Sequence, residues 1–271
     1  MLQQAFLLVI FVTLAATSPI EITPFVVNGT DARIEEFPFL VSLQWRFNDS
    51  TFIHYCGGTI LNKDWVLTAA HCLNDDDPTT NQIEYGTTVI SHGSKGINTV
   101  YFERTIIHEK FDPFTLFHDI GLIKTKSPMT IVLFEYKVKL PIPSDYFSTG
   151  TPAVLAGWGR TGTDAEISTI LQKVSYQIYS QSDCADLHEE EIHYNNICAG
   201  IEGGYKGQCK GDSGGPLLVD GVQVGIVSWS NKPCAEPPYP GVFTAVAPYI
   251  NWIKENTMLN IKLRMFIQIK D

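Results

Sequence analysis

The stretch Cys209-Lys210-Gly211-Asp212-Ser213-Gly214-Gly215-Pro216 decides how the rest of the chain is interpreted. It places a serine among glycines, next to an aspartate and shortly after a cysteine. Glycines around a serine give a tight turn with little side-chain bulk. Such a turn exposes the serine hydroxyl and can direct two backbone N–H groups at one point, which is the geometry that acyl transfer requires. The alternative is a glycine-rich hairpin in which the serine is incidental.

The first residues have the pattern of a targeting segment. An apolar run, Ala5 to Ala16, is followed by the small residues Thr17 and Ser18. This is the length of the apolar region of a secretory signal peptide, and it is short for a membrane span. The residues before it carry no Lys or Arg, and a retained anchor is the alternative. We expect residues 1–18 to be a signal peptide, residues 19–25 a short propeptide, and the mature protein to be secreted and extracellular.

The cysteines agree with an exported protein. There are six, an even number, which fits an oxidising compartment and three disulfides. Spacing alone leaves all fifteen pairings open. No two cysteines form a CxxC pair, and they are too scattered along the chain for an obvious zinc site.

The charge balance argues against several classes of partner. The formal net charge is −10, with no basic stripe to neutralise phosphates, so we do not expect nucleic acid to bind. The acidic runs Asp75–Asp77 and Glu189–Glu191 are best explained as solvated loop faces, because neither spaces oxygen ligands around a turn as calcium requires. We expect no metal and no other cofactor.

The distribution of apolar residues favours an all-β protein. Short apolar runs are separated by Gly, Pro, Asn and Asp, as in a β-sandwich or a pair of barrels. The main runs are Thr59–Leu61, Trp65–Thr68, Thr99–Ile107, Ile120–Ile123, Ala153–Ala156, Gln172–Ile178, Pro216–Val219, Val222–Trp229 and Gly241–Val246. A helical period occurs only near the end, from Val246 to Lys254, with Ile250, Ile253 and Met258 near one face.

Two further positions could complete a nucleophilic site with Ser213. His71 follows an apolar run and precedes Cys72, so a disulfide there would fix its backbone. Its imidazole could accept the serine proton near neutral pH. Asp119 leads the apolar run of residues 120–123, and a buried aspartate is costly unless it is paired, so orienting His71 is its natural role.

With these residues, the chain resembles the trypsin/chymotrypsin-like serine proteases over roughly Val26 to Thr257. The order His, Asp, Ser is that of this family. The resemblance rests on the motifs Val26-Val27-Asn28-Gly29, Cys56-Gly57-Gly58-Thr59, Thr68-Ala69-Ala70-His71-Cys72, Asp119-Ile120-Gly121-Leu122, Gly157-Trp158-Gly159, Gly211-Asp212-Ser213-Gly214-Gly215-Pro216 and Ser228-Trp229. It implies one protease domain, residues 26–271, made of two packed six-stranded antiparallel β-barrels. The barrels would span roughly residues 26–140 and 141–247, followed by a C-terminal helix and tail, residues 248–271.

The resemblance also implies residue roles. His71 would be the general base and acid, Asp119 the orienting carboxylate and Ser213 the nucleophile. The backbone N–H groups of Gly211 and Ser213 would form the oxyanion hole. The family's disulfide pairing would be Cys56–Cys72, Cys184–Cys198 and Cys209–Cys234.

Activation by cleavage before Val26 is a further implication. The new α-amino group of Val26 would pair with the carboxylate of Asp212 and hold the serine turn in its active form. Relatives commonly carry Arg or Lys before this point, but here the residue is Phe25. This favours a chymotrypsin-like activator or self-activation.

The family's specificity pocket maps to Gly207 at its floor and to Ser228, Trp229, Ser230 and Gly241 at its walls. The floor carries no charge, so a cationic side chain would be buried unpaired. We therefore expect a deep, mostly apolar pocket and a chymotrypsin-like preference for Phe, Tyr, Leu or Met before the cut bond. Elastase- or collagenase-like breadth is the alternative among enzymes, and a catalytically silent homologue that only binds partners is the alternative outside them.

The remaining expectations concern the surface. Asn28 and Asn48 head glycosylation sequons, and Asn48 lies in a polar loop. We expect protein or peptide substrates, protein inhibitors as further partners, no membrane partner and a monomer. The alternating tail, residues 259–271, has no functional explanation.

Overall fold

The computed structural model describes Val27 and residues 29–48, 50–73, 78–91, 96, 98–130, 136–188 and 191–259. Within these residues the chain forms two closed six-stranded antiparallel barrels, which confirms the predicted fold class. The targeting segment, Val26, Asn28 and the tail from Asn260 onward lie outside the described residues. In the described part, no helix is both long enough and apolar enough to span a membrane.

The first barrel runs in the order β2-β3-β4-β7-β6-β5, with β5 pairing back to β2. Its strands are β2 (Leu40–Arg46), β3 (Phe52–Asn62), β4 (Trp65–Thr68), β5 (Gln82–Tyr85), β6 (Thr99–Ile107) and β7 (Gly121–Thr125). Its interior is filled by branched aliphatic side chains with no solvent exposure, among them Leu43, Ile60 and Ile83. Burial of such side chains is the main force that closes the barrel.

The second barrel runs in the order β8-β9-β10-β13-β12-β11, and β8 pairs with both β9 and β11 to close it. Its strands are β8 (Pro152–Gly157), β9 (Gln172–Tyr179), β10 (Asn196–Gly200), β11 (Pro216–Val219), β12 (Val222–Trp229) and β13 (Gly241–Ala245). A short strand β1 (Thr30–Asp31) pairs with β9. The first described segment of the chain therefore joins the second barrel, not the first.

Among the described residues, the helical segments are all short. A single-turn 3-10 helix, Ala247–Tyr249, leads into the C-terminal helix α2 (Ile250–Thr257), which buries Ile250 and Ile253 as predicted. The prediction for Met258 is wrong: it is 94% exposed, because the helix ends there in a left-handed residue with φ of 55°. Helix α1 (Gln181–Leu187), capped by Ser180, was not expected from the sequence.

Three disulfides join Cys56 to Cys72, Cys184 to Cys198 and Cys209 to Cys234, the pairs that the family resemblance implies. The first bond ties β3 to the segment after β4. The third anchors the start of the Gly-rich serine turn to the loop that precedes β13.

The two barrels meet along a seam of polar contacts. The Thr59 hydroxyl of β3 donates a hydrogen bond of 2.6 Å to the Gln223 Oε1 of β12, and both side chains are fully buried. The backbone N–H of Gly57 donates to the Ser213 carbonyl at 2.7 Å. The seam therefore fixes how the strand ends of the first barrel face the serine turn of the second.

Replacing Thr59 by Val should destabilise the protein. The substitution keeps the side-chain shape but leaves the buried Gln223 oxygen without its donor, which costs about 1–3 kcal/mol. We expect a lower melting temperature for Thr59→Val. Thr59→Ser keeps the hydroxyl, so its melting temperature should fall much less. An equal fall for the two variants would contradict the role given to this hydrogen bond.

Candidate active site

The pairing of β4 with β7 brings His71 and Asp119 together. Thr68, at the end of β4, pairs with Gly121, at the start of β7. His71 follows β4 in a 3-10 turn, Ala70–Leu73, and Asp119 lies two residues before the start of β7. The His71 Nδ1 atom lies 2.7 Å from Asp119 Oδ2, and the His71 backbone N–H donates to Asp119 Oδ1 at 2.9 Å. The carboxylate therefore fixes both the ring and the main chain of the histidine.

The second barrel completes the surroundings of Asp119, whose side chain has no solvent exposure. The Ser228 hydroxyl donates to Asp119 Oδ2 at 2.6 Å. The Thr244 hydroxyl donates to the Asp119 carbonyl at 2.9 Å. A buried carboxylate is tolerated only when it is paired and hydrogen-bonded, and here donors from both barrels meet that requirement.

The environment of His71 changes its basicity. Burial of the ring opposes protonation, but the hydrogen bond that His71 donates to Asp119 and the negative charge of that carboxylate outweigh burial, so the pKa of His71 is raised above its ordinary value. Since Asp119 accepts at Nδ1, the proton of the neutral ring lies on that nitrogen and Nε2 is left as the basic atom. The Nε2 atom lies 3.7 Å from the Cys72 sulfur. Within the described residues, no hydrogen bond joins it to Ser213 Oγ.

The serine turn depends on glycine at two positions. Gly211 has φ of 99° and Gly214 has φ of 77°, both in the left-handed region that favours glycine. A Cβ atom at Gly211 would lie 2.7 Å from Ile167 Cδ1, and one at Gly214 would lie 2.1 Å from Thr68 Oγ1. Glycine is therefore required at these two positions near half-buried Ser213, both because a side chain would not fit and because the backbone conformation favours glycine.

A buried histidine supports this turn from the first barrel. His54 Nε2 lies 2.9 Å from the Gly211 carbonyl oxygen, and Ser42 Oγ lies 2.8 Å from His54 Nδ1. Because a carbonyl can only accept, His54 donates from Nε2 and accepts the Ser42 proton at Nδ1. The Gly211 carbonyl is thus held inward. In the part of the chain that the structure describes, the N–H groups of Gly211 and Ser213 donate to no internal acceptor. Sequence reasoning missed His54, because no local motif marks it.

Asp212 is the second buried carboxylate of the site, with 1% exposure. It accepts hydrogen bonds from the backbone N–H groups of Gly159, at 2.9 Å, and of Cys209, at 3.0 Å. These two bonds only partly offset burial, which raises the pKa of Asp212 to about 7. Val26 lies outside the described residues, but its neighbour Val27 pairs with Gly207, five positions before Asp212.

The pocket beside Gly207 differs from the one expected. Gly207, Ser230 and Gly241 line this pocket, and its volume is only about 20 Å³. A pocket of this volume is smaller than the deep one that we expected from the sequence. The reason is Gln208, which the sequence analysis did not consider and which lines the same space with its amide. Two predicted wall residues contact groups next to this space: the Ser228 hydroxyl donates to Asp119, and the Trp229 carbonyl oxygen accepts a hydrogen bond from Gln208.

A His–Asp pair facing a Gly-rich serine turn across the seam of two antiparallel barrels defines the class of trypsin/chymotrypsin-like serine proteases. Comparisons with known proteins agree. A family model described as Trypsin matches residues 26–253. The chain is similar to Trypsin-1 of Astacus astacus, 37% identical over 241 residues that cover 86% of this chain and 100% of the relative.

Two further relatives extend this result. Trypsin Blo t 3 of Blomia tropicalis is 39% identical over 236 residues, which cover 85% of each chain. Trypsin I-P1 of Gallus gallus is 33% identical over 256 residues, which cover 93% of this chain and 98% of the relative. The chain therefore belongs to the trypsin family, and it is a serine endopeptidase that acts on protein or peptide substrates.

The origin of the raised His71 pKa can be tested by NMR titration. In Asp119→Asn the hydrogen bond to a charged partner is lost and burial is left unopposed, so the pKa of His71 should fall below its ordinary value. Ser228→Ala keeps the negative charge of Asp119, so the pKa should stay raised. The His71 signal is assigned from its absence in His71→Gln. An unchanged pKa in Asp119→Asn would show that the carboxylate does not control the ring.

Proposed function

We propose that Ser213, His71 and Asp119 form the catalytic triad of this endopeptidase. Ser213 Oγ attacks the carbonyl carbon of the scissile peptide bond while His71 Nε2 takes the hydroxyl proton. His71 then gives that proton to the leaving amine, which leaves an acyl group on Ser213. Water, deprotonated by the same ring, hydrolyses the acyl-enzyme. Asp119 keeps the reactive tautomer of His71 and stabilises the imidazolium that forms in each step.

The oxyanion of each tetrahedral intermediate would be bound by the N–H groups of Gly211 and Ser213. His54 supports this role, since its bond to the Gly211 carbonyl leaves the neighbouring N–H groups free for a substrate. Loss of one such donor typically costs about 3 kcal/mol of transition-state stabilisation.

The observation that carries the proposal is the 2.7 Å contact between His71 Nδ1 and Asp119 Oδ2, in a carboxylate site built by both barrels. A buried pair of this kind lies next to a serine turn whose Gly211 and Ser213 N–H groups have no acceptor among the described residues. This arrangement fits a general base better than a purely structural contact. Hydrogen bonds between a base and its nucleophile often tighten only when substrate binds, so the lack of a His71–Ser213 hydrogen bond among the described residues does not argue against this role.

Activity of serine variants tests the triad directly. We expect Ser213→Ala to lower kcat on a peptide substrate by about 10⁶-fold, because no other hydroxyl replaces the nucleophile. Ser144→Ala, the same substitution at an exposed position, should have no effect. If Ser213→Ala retained activity comparable with wild type, the assignment of the nucleophile would be wrong.

The uncharged floor of the pocket favours substrates with an uncharged residue before the cut bond. Gly207 provides no carboxylate, so an Arg or Lys side chain that reached this floor would lack a buried counter-charge. The names of the relatives favour trypsin-like cleavage after basic residues as the second candidate. Glu236 also lines the pocket, but Lys206 lines it too and offsets that charge. A Phe, Tyr, Leu or Met side chain of the substrate needs more volume than the pocket offers. The size of the substrate residue that binds therefore depends on which protein side chain occupies the pocket.

Secretion and activation by cleavage before Val26 are part of the same proposal. The pairing of Val27 with Gly207 leads the chain toward the serine turn, so a free α-amino group at Val26 could reach Asp212. Asp212 is suited to that partner, because among the described residues its buried carboxylate accepts from two backbone N–H groups only, and its pKa is raised. Pairing with an ammonium group would lower that pKa and fix the turn.

This activation scheme predicts a specific loss in Asp212→Asn. In chains cut before Val26, as verified by intact mass, the variant should lose about 100-fold or more in kcat/KM, because a buried ammonium group would be left unpaired. The control, Asp220→Asn, changes an exposed aspartate whose φ of 49° asparagine also tolerates, and it should keep full activity. Full activity of cut Asp212→Asn would contradict the scheme.

Three surface properties complete the proposal. Asn48 is exposed, and its side-chain oxygen accepts the backbone N–H groups of Ser50 and Thr51, so it suits a glycosylated loop. We further infer a monomer that protein protease inhibitors can block at the substrate cleft. No step in this mechanism requires a cofactor.

A further inference from the structure

Gln208 occupies the space in which a substrate side chain would be expected. Its side chain is 3% exposed, although glutamine is usually a surface residue. The remaining cavity of about 20 Å³ is close to what a single water molecule requires. An aromatic ring needs much more, since a cavity that binds benzene has about 150 Å³. In this arrangement the pocket cannot admit a phenyl group.

Specific contacts hold Gln208 in place. Its Nε2 donates to the Trp229 carbonyl at 2.8 Å, and its backbone N–H donates to the hydroxyl of Tyr176 at 2.8 Å. Tyr176 is fully buried, and burial raises the pKa of its phenol, so the acceptor stays neutral. The glutamine is thus anchored to the second barrel through both its main chain and its amide.

Gly241 makes this position possible. A Cβ atom there would lie 2.6 Å from Gln208 Oε1 and 2.8 Å from Gln208 Cδ, so any larger residue would displace the amide. From the sequence alone, Gly241 leaves room for the substrate. In the structure, that room is taken by Gln208. Its Oε1 has no hydrogen-bond partner in the described part of the chain, so only the Trp229 contact is lost when the amide is removed.

We propose that Gln208 sets the specificity of this protease by restricting the residue before the cut bond to a small uncharged side chain, such as Ala. This rests on the proposed function, because it assumes that Ser213 attacks next to this pocket. It favours the elastase-like alternative over the chymotrypsin-like preference. The restriction is steric, so shortening the side chain of Gln208 should open the pocket to aromatic residues.

Peptide substrates that differ only in the residue before the cut bond test the proposal. For the cut wild-type chain, kcat/KM should be at least about 10-fold higher for Ala than for Phe, a typical effect of filling or blocking a pocket. In the variant Gln208→Ala, the ratio of kcat/KM for the Phe substrate to kcat/KM for the Ala substrate should rise about 10- to 100-fold. Gln208→Met keeps the length of the side chain and should stay close to wild type. Gln181→Ala, the same substitution on the exposed face of α1, should leave the ratio unchanged.

The outcomes separate the two proposals. A wild-type enzyme that cleaves best after Phe or Arg, with a ratio that Gln208→Ala does not change, overturns the role of Gln208 while the proposed function stands. If neither the wild type nor any variant cleaves a substrate, or if Ser213→Ala cleaves the substrates as well as the wild type does, the proposed function itself fails. A ratio that changes as much in Gln208→Met as in Gln208→Ala would also overturn the steric explanation.

Discussion

The burial of two carboxylates in the seam between the barrels is the constraint on which the site depends. Asp119 and Asp212 have almost no solvent exposure, and an uncompensated buried charge would cost several kcal/mol. Asp119 is compensated by donors from both barrels, including His71 and Ser228. Among the described residues, the carboxylate of Asp212 accepts hydrogen bonds from two backbone N–H groups, which do not fully offset its burial, so its pKa is raised. Asp119 is fully compensated and orients a base, whereas Asp212 could accept a further partner, which we propose is a new chain terminus.

Each barrel supplies a different part of the site. The first supplies His71 and Asp119 from adjacent strand ends, and also His54, which reaches across to the Gly211 carbonyl. The second supplies the serine turn and the pocket. The functional groups lie in short segments next to strands of the closed barrels, so strand pairing sets much of their relative position, and such preorganisation is what electrostatic stabilisation of a transition state requires. The Thr59–Gln223 hydrogen bond and the Gly57–Ser213 bond keep the two halves in register.

Much of the fold followed from the sequence because barrel strands carry a local signal. Four strands, Trp65–Thr68, Thr99–Ile107, Pro216–Val219 and Val222–Trp229, begin and end where their apolar runs do. Helix α1 was missed because it has only seven residues, of which Cys184 alone is buried, so no helical period develops. Met258 was misplaced because the helix ends in a left-handed residue that turns its side chain outward.

The structure brings the expected residues His71 and Asp119 into contact, but sequence reasoning did not anticipate His54 or Gln208. Each is a polar residue whose burial is decided by partners far along the chain. His54 is buried by contact with Gly211, 157 positions away, and Gln208 by Trp229 and Gly241. A glutamine before a cysteine has no distinctive local pattern, so its effect on pocket volume could be found only in three dimensions.

The proposed mechanism depends on attack by Ser213 with His71 as its base. This attack can be detected by mass spectrometry of the cut chain, quenched in acid shortly after mixing with a slowly deacylating peptide ester. We expect one added acyl group on the peptide that contains Ser213, and much slower acylation in His71→Ala. An acyl group on another residue, or equally fast acylation of Ser213 without His71, would contradict it.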